Sequence, residues 1–235
     1  IVLIRRQKSR PGVMSPSNTN THRYGVNTSL IWDFNPSHRL RFAYAYDWGR
    51  HRQTGMYGAV DFSDPTNPRF VDWFGGLDDK DNRIINRDGY ALRSRDRLSI
   101  AQLNQISLEY RGRFLEDALT LTLGVRAPFF KRELNQYCYT QNRSSNVLCT
   151  SETPSAPLAN GNVTFAGRGT TQYIAPYSRD VDFDAVLPNV NATYRFEGGH
   201  SIYGSYSESL SAPRTDSLYN ASRMPDGSIG NPTVQ

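Results

Sequence analysis

Cysteine offers the clearest chemistry in this chain, and it occurs twice, at Cys138 and Cys149. Eleven positions separate the pair, in a stretch rich in Ser and Asn, which is not the spacing of a CxxC redox or metal site. Two exposed thiols in one polar loop point to a disulfide made in an oxidising compartment, worth about 2–3 kcal/mol through loop closure. Two reduced, unpaired thiols are the alternative. The four histidines, His22, His38, His51 and His200, are far apart, fall at loops or turns, and read as solvated. The acidic run from Asp78 to Asp81, with Asp72 nearby, offers oxygen ligands to a divalent cation. It lacks the Gly and Glu spacing of a calcium loop, so it reads as a solvated charge run and no metal is assigned. GxSxG, HExxH and Walker patterns are absent, so neither an enzyme nor a cofactor is expected.

Binding chemistry is better supported. One polar stretch, 51–97, carries Tyr57, Phe62, Phe70, Trp73, Phe74 and Tyr90 among Arg and Asp. A second, 135–181, carries Tyr137, Tyr139, Phe165, Tyr173 and Tyr177. Aromatic rings with polar neighbours suit recognition of sugars or aromatic chelates, which makes Tyr57, Trp73, Phe74, Tyr137 and Tyr139 candidate ligand contacts. Arg41, Arg126 and Arg195 are candidates to meet anionic groups of a ligand. The competing expectation is that the rings pack loop against loop and the arginines pair with Asp and Glu.

What must position these residues is a set of strands. In "SLIWDFNPSHRLRFAYAYDW", residues 29–48, Leu30, Trp32 and Phe34 take every second position, as do Leu40, Phe42, Tyr44, Tyr46 and Trp48, and the residues between are polar or small except Ile31. The other phase carries Ser29, Asp33, Arg39, Arg41 and Asp47. Alternation of this kind is the mark of a strand with one apolar face. It recurs over 98–111, over 119–129 (Leu119, Leu121, Leu123, Val125, Ala127 and Phe129 on one face) and over 187–196. A Ser- and Tyr-rich strand is expected at 201–210, and residues 1–7 read as the tail of an earlier one. That gives about seven strands of roughly ten residues, enough to span a bilayer's hydrocarbon when tilted.

The connections fall into two classes that alternate along the chain. Those at 35–38, 112–118 and 197–200 are short; those at 8–22, 51–97, 135–181 and from 211 onward are long. In a meander one end is therefore trimmed and the other carries large excursions, as in outer-membrane barrels. A hydrophobic share of 37% is low for a globular chain, but 12% aromatic residues argue against disorder. The fold expected is all-β: an antiparallel up-and-down transmembrane barrel, with lipid as partner of the aromatic face. An arc of seven strands cannot close in lipid, where unpaired backbone is costly, so a larger barrel and a chain cut at both ends are expected. No run of apolar residues is long enough for a transmembrane helix. The net charge of +5 is scattered rather than blocked, so no nucleic-acid partner is expected. A passive porin or adhesion barrel and a soluble β-rich binding module stay open as alternatives.

At 187–213, "LPNVNATYRFEGGHSIYGSYSESLSAP" resembles the barrel of TonB-dependent outer-membrane receptors. The residues that carry the likeness are Leu187, Pro188, Asn191 and Tyr194, then Tyr206, Ser207, Ser209, Leu210 and Pro213. "GNPTVQ", Gly230 to Gln235, is similar to an element after the next loop, with Val234 where the family has Leu. "DALTLTLGVRAPFFKRE", from Asp117, is similar to a strand upstream of these. The likeness covers about 98–235; residues 1–97 match only in pattern. It implies that 1–235 is part of one receptor barrel domain of 22 strands, with the plug domain outside this chain. It also implies import of a scarce nutrient, such as a ferric siderophore, cobalamin or a carbohydrate. Transport would be energised by the TonB protein acting through the missing N-terminal region, in the bacterial outer membrane.

Overall fold

The computed structural model describes residues 12–14, 18–60, 64, 66, 83–86, 88–144 and 146–231. The expected strand at 1–7, the acidic residues Asp72 and Asp78 to Asp81, and the rings of Phe62, Phe70, Trp73 and Phe74 lie outside them.

Alternation of apolar and polar residues makes β2 (Asn18–Asn35), β3 (His38–Met56), β5 (Arg93–Phe114) and β6 (Leu119–Gln136). Short pieces frame them: β1 (Gly12–Met14), β4 (Gly58–Val60), β7 (Tyr139–Gln141), β8 (Val147–Leu148) and β9 (Tyr173–Ile174). There follow β10 (Tyr177–Asp184), β11 (Leu187–Arg195), β12 (Ser201–Ser207), α1 (Thr215–Leu218), β13 (Ser222–Arg223) and β14 (Ile229–Gly230). The main sheet is antiparallel throughout, in the order β12-β11-β6-β5-β3-β2, with β10 also on β6. Its edges do not meet among the described residues, so it is an open arc.

β10 and β11 share one register on β6. Asp184 lies opposite Phe129 and Leu187 opposite Arg126, so Ala185 and Val186 face Pro128 and Ala127. Pro128 has no N–H to give to the ladder, which interrupts pairing there. Only the Ala185 N–H reaches across, to the Pro128 carbonyl at 3.4 Å.

Register carries the apolar face unbroken from strand to strand. One row reads Trp32, Leu40, Tyr110, Leu123, Val190, Tyr206, and its neighbour reads Leu30, Phe42, Leu108, Val125, Pro188. These side chains are not tucked into a core: Leu30 is 69% exposed, Trp32 59% and Phe42 43%. Aromatic pairs mark both rims of the band, Tyr24 on Trp48 at one and Trp32 on Phe34 at the other. From Tyr24 to Phe34 the strand covers ~33 Å at ~3.3 Å per residue, or ~25 Å of bilayer at a tilt of ~40°.

Two expectations are corrected. The four long strands run to 18–22 residues rather than ten. Past the Trp48 rim the outward face turns polar, as with the Lys131–Asp180 ion pair at 2.7 Å, so alternation no longer flags the strand. The stretch 177–181, read as loop, begins β10. There the pattern is reversed: Tyr177, Arg179, Val181 and Phe183 face inward, while Asp180, Asp182 and Asp184 face out.

The trimmed end holds Pro36 and Ser37, the stretch 115–118 and the stretch 196–200. Asn35 shapes the first turn by accepting the Ser37 N–H at 2.9 Å. Gly198 and Gly199 supply the left-handed φ of 91° and 86° that the last turn needs. The opposite end carries the excursions 57–92 and 137–176 and the segment that follows β12.

Candidate functional site

The inner face of the sheet is the second phase of the same alternation. Around its middle, Arg41, Glu109, Arg126, Asn189, Ser207 and Glu208 line a concavity of about 420 Å³. Register sets this: Arg41, Glu109, Gly124, Asn189 and Ser207 form one row, with Arg126 in the next. The structure thus brings Arg41 and Arg126 to one concavity. Arg195, opposite Ser201 near the trimmed end, is apart from them. All three guanidiniums are exposed, and none makes an ion pair among the described residues.

Nearer the long-loop end, the segment after β12 folds onto the inner face. Leu218 and Tyr219, each 1% exposed, pack on Leu134, with Val181 and Phe183 around them. The Tyr219 hydroxyl donates to the Leu98 carbonyl at 3.0 Å and lies 2.9 Å from Ser99 Oγ. Arg97 stacks over the Tyr219 ring at 4.4 Å and pairs with Asp216. Arg179 donates to the Leu218 carbonyl. Burial pushes the Tyr219 phenol above its ordinary pKa, so it stays a donor. Beside this anchor a second concavity, of about 280 Å³, is lined by Arg23, Asp47, His51, Arg132 and Thr215 among others.

The loops themselves interlock. Cys138 and Cys149 form a disulfide with Cα atoms 4.6 Å apart. The cysteines are not exposed as expected: the two residues are 2% and 4% accessible, and the Asn86 amide of the 57–92 excursion donates to the Cys149 carbonyl at 3.1 Å. Tyr139 meets Phe165 edge-on at 4.9 Å, and Phe165 meets Tyr173 at 5.6 Å, so these rings build an aromatic core within the loop. Tyr137 is 48% exposed, with the Arg52 guanidinium 5.0 Å from its ring centre. Tyr57 is half-buried, its N–H bonded to the Leu92 carbonyl at 2.9 Å. The Asp88 carboxylate accepts from the Thr150 hydroxyl and the Ser151 N–H, both at 2.6 Å, tying the 57–92 excursion to the disulfide loop. Those bonds, the Thr150 hydroxyl foremost, hold the Asp88 carboxyl well below the usual range. Arg223 joins the third loop to the second through the Gly161 carbonyl at 3.1 Å.

Two histidines expected to be solvated have partners: His38 Nδ1 lies 2.7 Å from the Tyr110 hydroxyl, and His51 Nδ1 lies 2.7 Å from Thr21 Oγ1. Sequence reasoning missed Arg23, His51, Arg132 and Tyr219 as site residues. Arg132 had a signal, since it keeps the phase of Arg126 six residues on; Tyr219 had none.

An apolar outer band with aromatic rims, a polar inner face and excursions at one end define an arc of an outer-membrane β-barrel. The family model described as "TonB dependent receptor-like, beta-barrel" matches residues 5–235, and the chain belongs to that family. The match takes in most of the first 97 residues, where pattern alone had been visible. The barrel is that of an outer-membrane receptor or transporter, from a family of transporters and not of enzymes. No curated protein and no solved structure matches the chain.

Proposed function

We propose that this barrel binds a scarce nutrient at the cell surface and imports it by TonB-energised transport, the cargo being a ferric siderophore, cobalamin or a carbohydrate. The observation that carries the reading is the arginine-lined inner face set back to back with a lipid-compatible outer face. A ligand descending the bore meets polar and cationic groups while the fold remains seated in acyl chains. The loop rings Tyr57, Trp73, Phe74, Tyr137 and Tyr139 meet the ligand first, and Arg41, Arg126 and Arg195 line its path. The plug and the TonB contact belong to the part of the receptor outside 1–235, and the protein resides in the bacterial outer membrane.

A strain lacking the gene, grown on different iron, cobalamin and sugar sources, tests this. Growth should fail on one source, and loss of TonB should reproduce the defect. Uptake that persists without TonB identifies a passive porin instead.

A further inference from the structure

Just beyond the Tyr24–Trp48 rim, one register row crosses the inner face as Arg23, Gly49, Ala101, Arg132. Its two middle members have almost no side chain. They floor a trough whose walls are the flanking arginines, with backbones about 14 Å apart at ~4.8 Å per strand. Thr21, His51 and Ser99 edge it on one side, Leu103 and Phe130 on the other, and Thr215 approaches from α1. A volume of about 280 Å³ suits one ionised group of a ligand whose remainder lies in the bore.

The two arginines are not equivalent. Arg23 is neutralised by Asp47, which accepts from its Nε at 2.9 Å and lies 2.8 Å from its terminal nitrogen. Arg132 has no carboxylate within ion-pair distance among the described residues. Its one side-chain hydrogen bond among them is long, 3.4 Å from a terminal nitrogen to Thr215 Oγ1. Its Nε is buried without a partner. A half-buried guanidinium left without a counter-ion is costly, and its planar fork of donors matches the two oxygens of a carboxylate, catecholate or phosphate. The other trough residues do not cancel the charge: Asp47 is committed to Arg23, and His51 shares a bond with Thr21.

We infer that Arg132 anchors an oxyanion group of the cargo, which makes the imported nutrient an anionic chelate or metabolite rather than a neutral sugar. This rests on the import reading above and deepens it. Arg23, held in place by Asp47, forms the opposite wall, and with His51 at the edge it limits the size of the group that enters.

The test uses the full-length receptor, purified from outer membranes in detergent, with inorganic phosphate as probe and chloride at matched ionic strength as control. Thermal unfolding is followed as phosphate is raised. Phosphate should raise Tm where chloride does not. Arg132→Gln should weaken the phosphate response at least about tenfold, and Arg132→Lys should keep part of it. Arg50→Gln, in a strand position of the outward phase, should leave the response intact. Without phosphate, Arg132→Gln should be no less stable than the parent, because an uncompensated charge has been removed. Absence of a phosphate effect in the parent overturns the inference, as does an equal effect in Arg132→Gln. Destabilisation by Arg132→Gln with no phosphate response also overturns it, by showing that another part of the receptor supplies the counter-ion. Growth without TonB dependence would remove the import reading and leave the phosphate result standing, so the two failures are distinguishable.

Discussion

Tyr24 and Trp48 stack face to face, ring centres 4.8 Å apart and planes 1° from parallel, at directly opposed positions of β2 and β3. Tyr24 is 62% exposed, so the pair forms a rim rather than a core. Interfacial rings settle at the headgroup level, and here two of them do so as one unit. A double-mutant cycle with Tyr24→Ala and Trp48→Ala, read by urea unfolding in bilayers, should give a coupling of about 0.5–1.5 kcal/mol. Strict additivity would show that the stack contributes nothing.

Ile106 and Gln105 are neighbours in β5, so they lie at nearly the same membrane depth on opposite faces of the sheet. Ile106→Arg puts a charge in lipid and should destabilise the folded barrel by about 2–4 kcal/mol. Gln105→Arg faces the bore and should cost under about 1 kcal/mol. Equal effects in the same unfolding assay would contradict the assignment of faces.

Tyr219 holds the segment after β12 against the inner wall. Tyr219→Phe keeps the ring and its packing on Leu134 but removes the donor to Leu98, at a cost of about 1 kcal/mol. Amide exchange should speed up across 214–222 and remain unchanged in β2. Unaltered exchange there would mean that the hydroxyl does not anchor the segment.

Asp88 links two loops through its ionised carboxylate. Its folded pKa is depressed, so the link is fully present above the unfolded carboxylate value, near 4, and is lost as pH falls through the lower folded value. Exchange at Ser151 should therefore accelerate in acid, relative to intrinsic rates, in the parent. In Asp88→Asn it should be fast at every pH. A parent profile that matches the variant's would refute the link.

Glu116 sits at φ 54° in the turn between β5 and β6, flanked by Leu115 at 56° and Asp117 at 70°. A left-handed backbone disfavours any residue with a Cβ, so Glu116→Gly should stabilise the barrel by about 1 kcal/mol. Loss of stability in urea unfolding would show that the Glu116 side chain contributes more than its backbone costs.

The sequence alone determined which way each long strand faces. Leu30, Phe42, Leu108 and Val125 announce the lipid side because alternation is a local property, readable one strand at a time. The trimmed and extended ends were legible as well, since connection length needs no partner strand. The disulfide could be expected from two cysteines in one loop. Tertiary structure decided what the sequence could not. β10 and the outer thirds of the long strands were hidden, because above the membrane both faces are polar or the phase inverts. The burial of the disulfide accompanies contacts with a distant excursion, such as Asn86 to the Cys149 carbonyl, which no local window contains. The trough at Arg132 exists because register aligns residues 23, 49, 101 and 132 across four strands, and Tyr219 reaches Ser99 from 120 positions away. Pairing between distant strands is set by the whole sheet, and no window along the chain contains it.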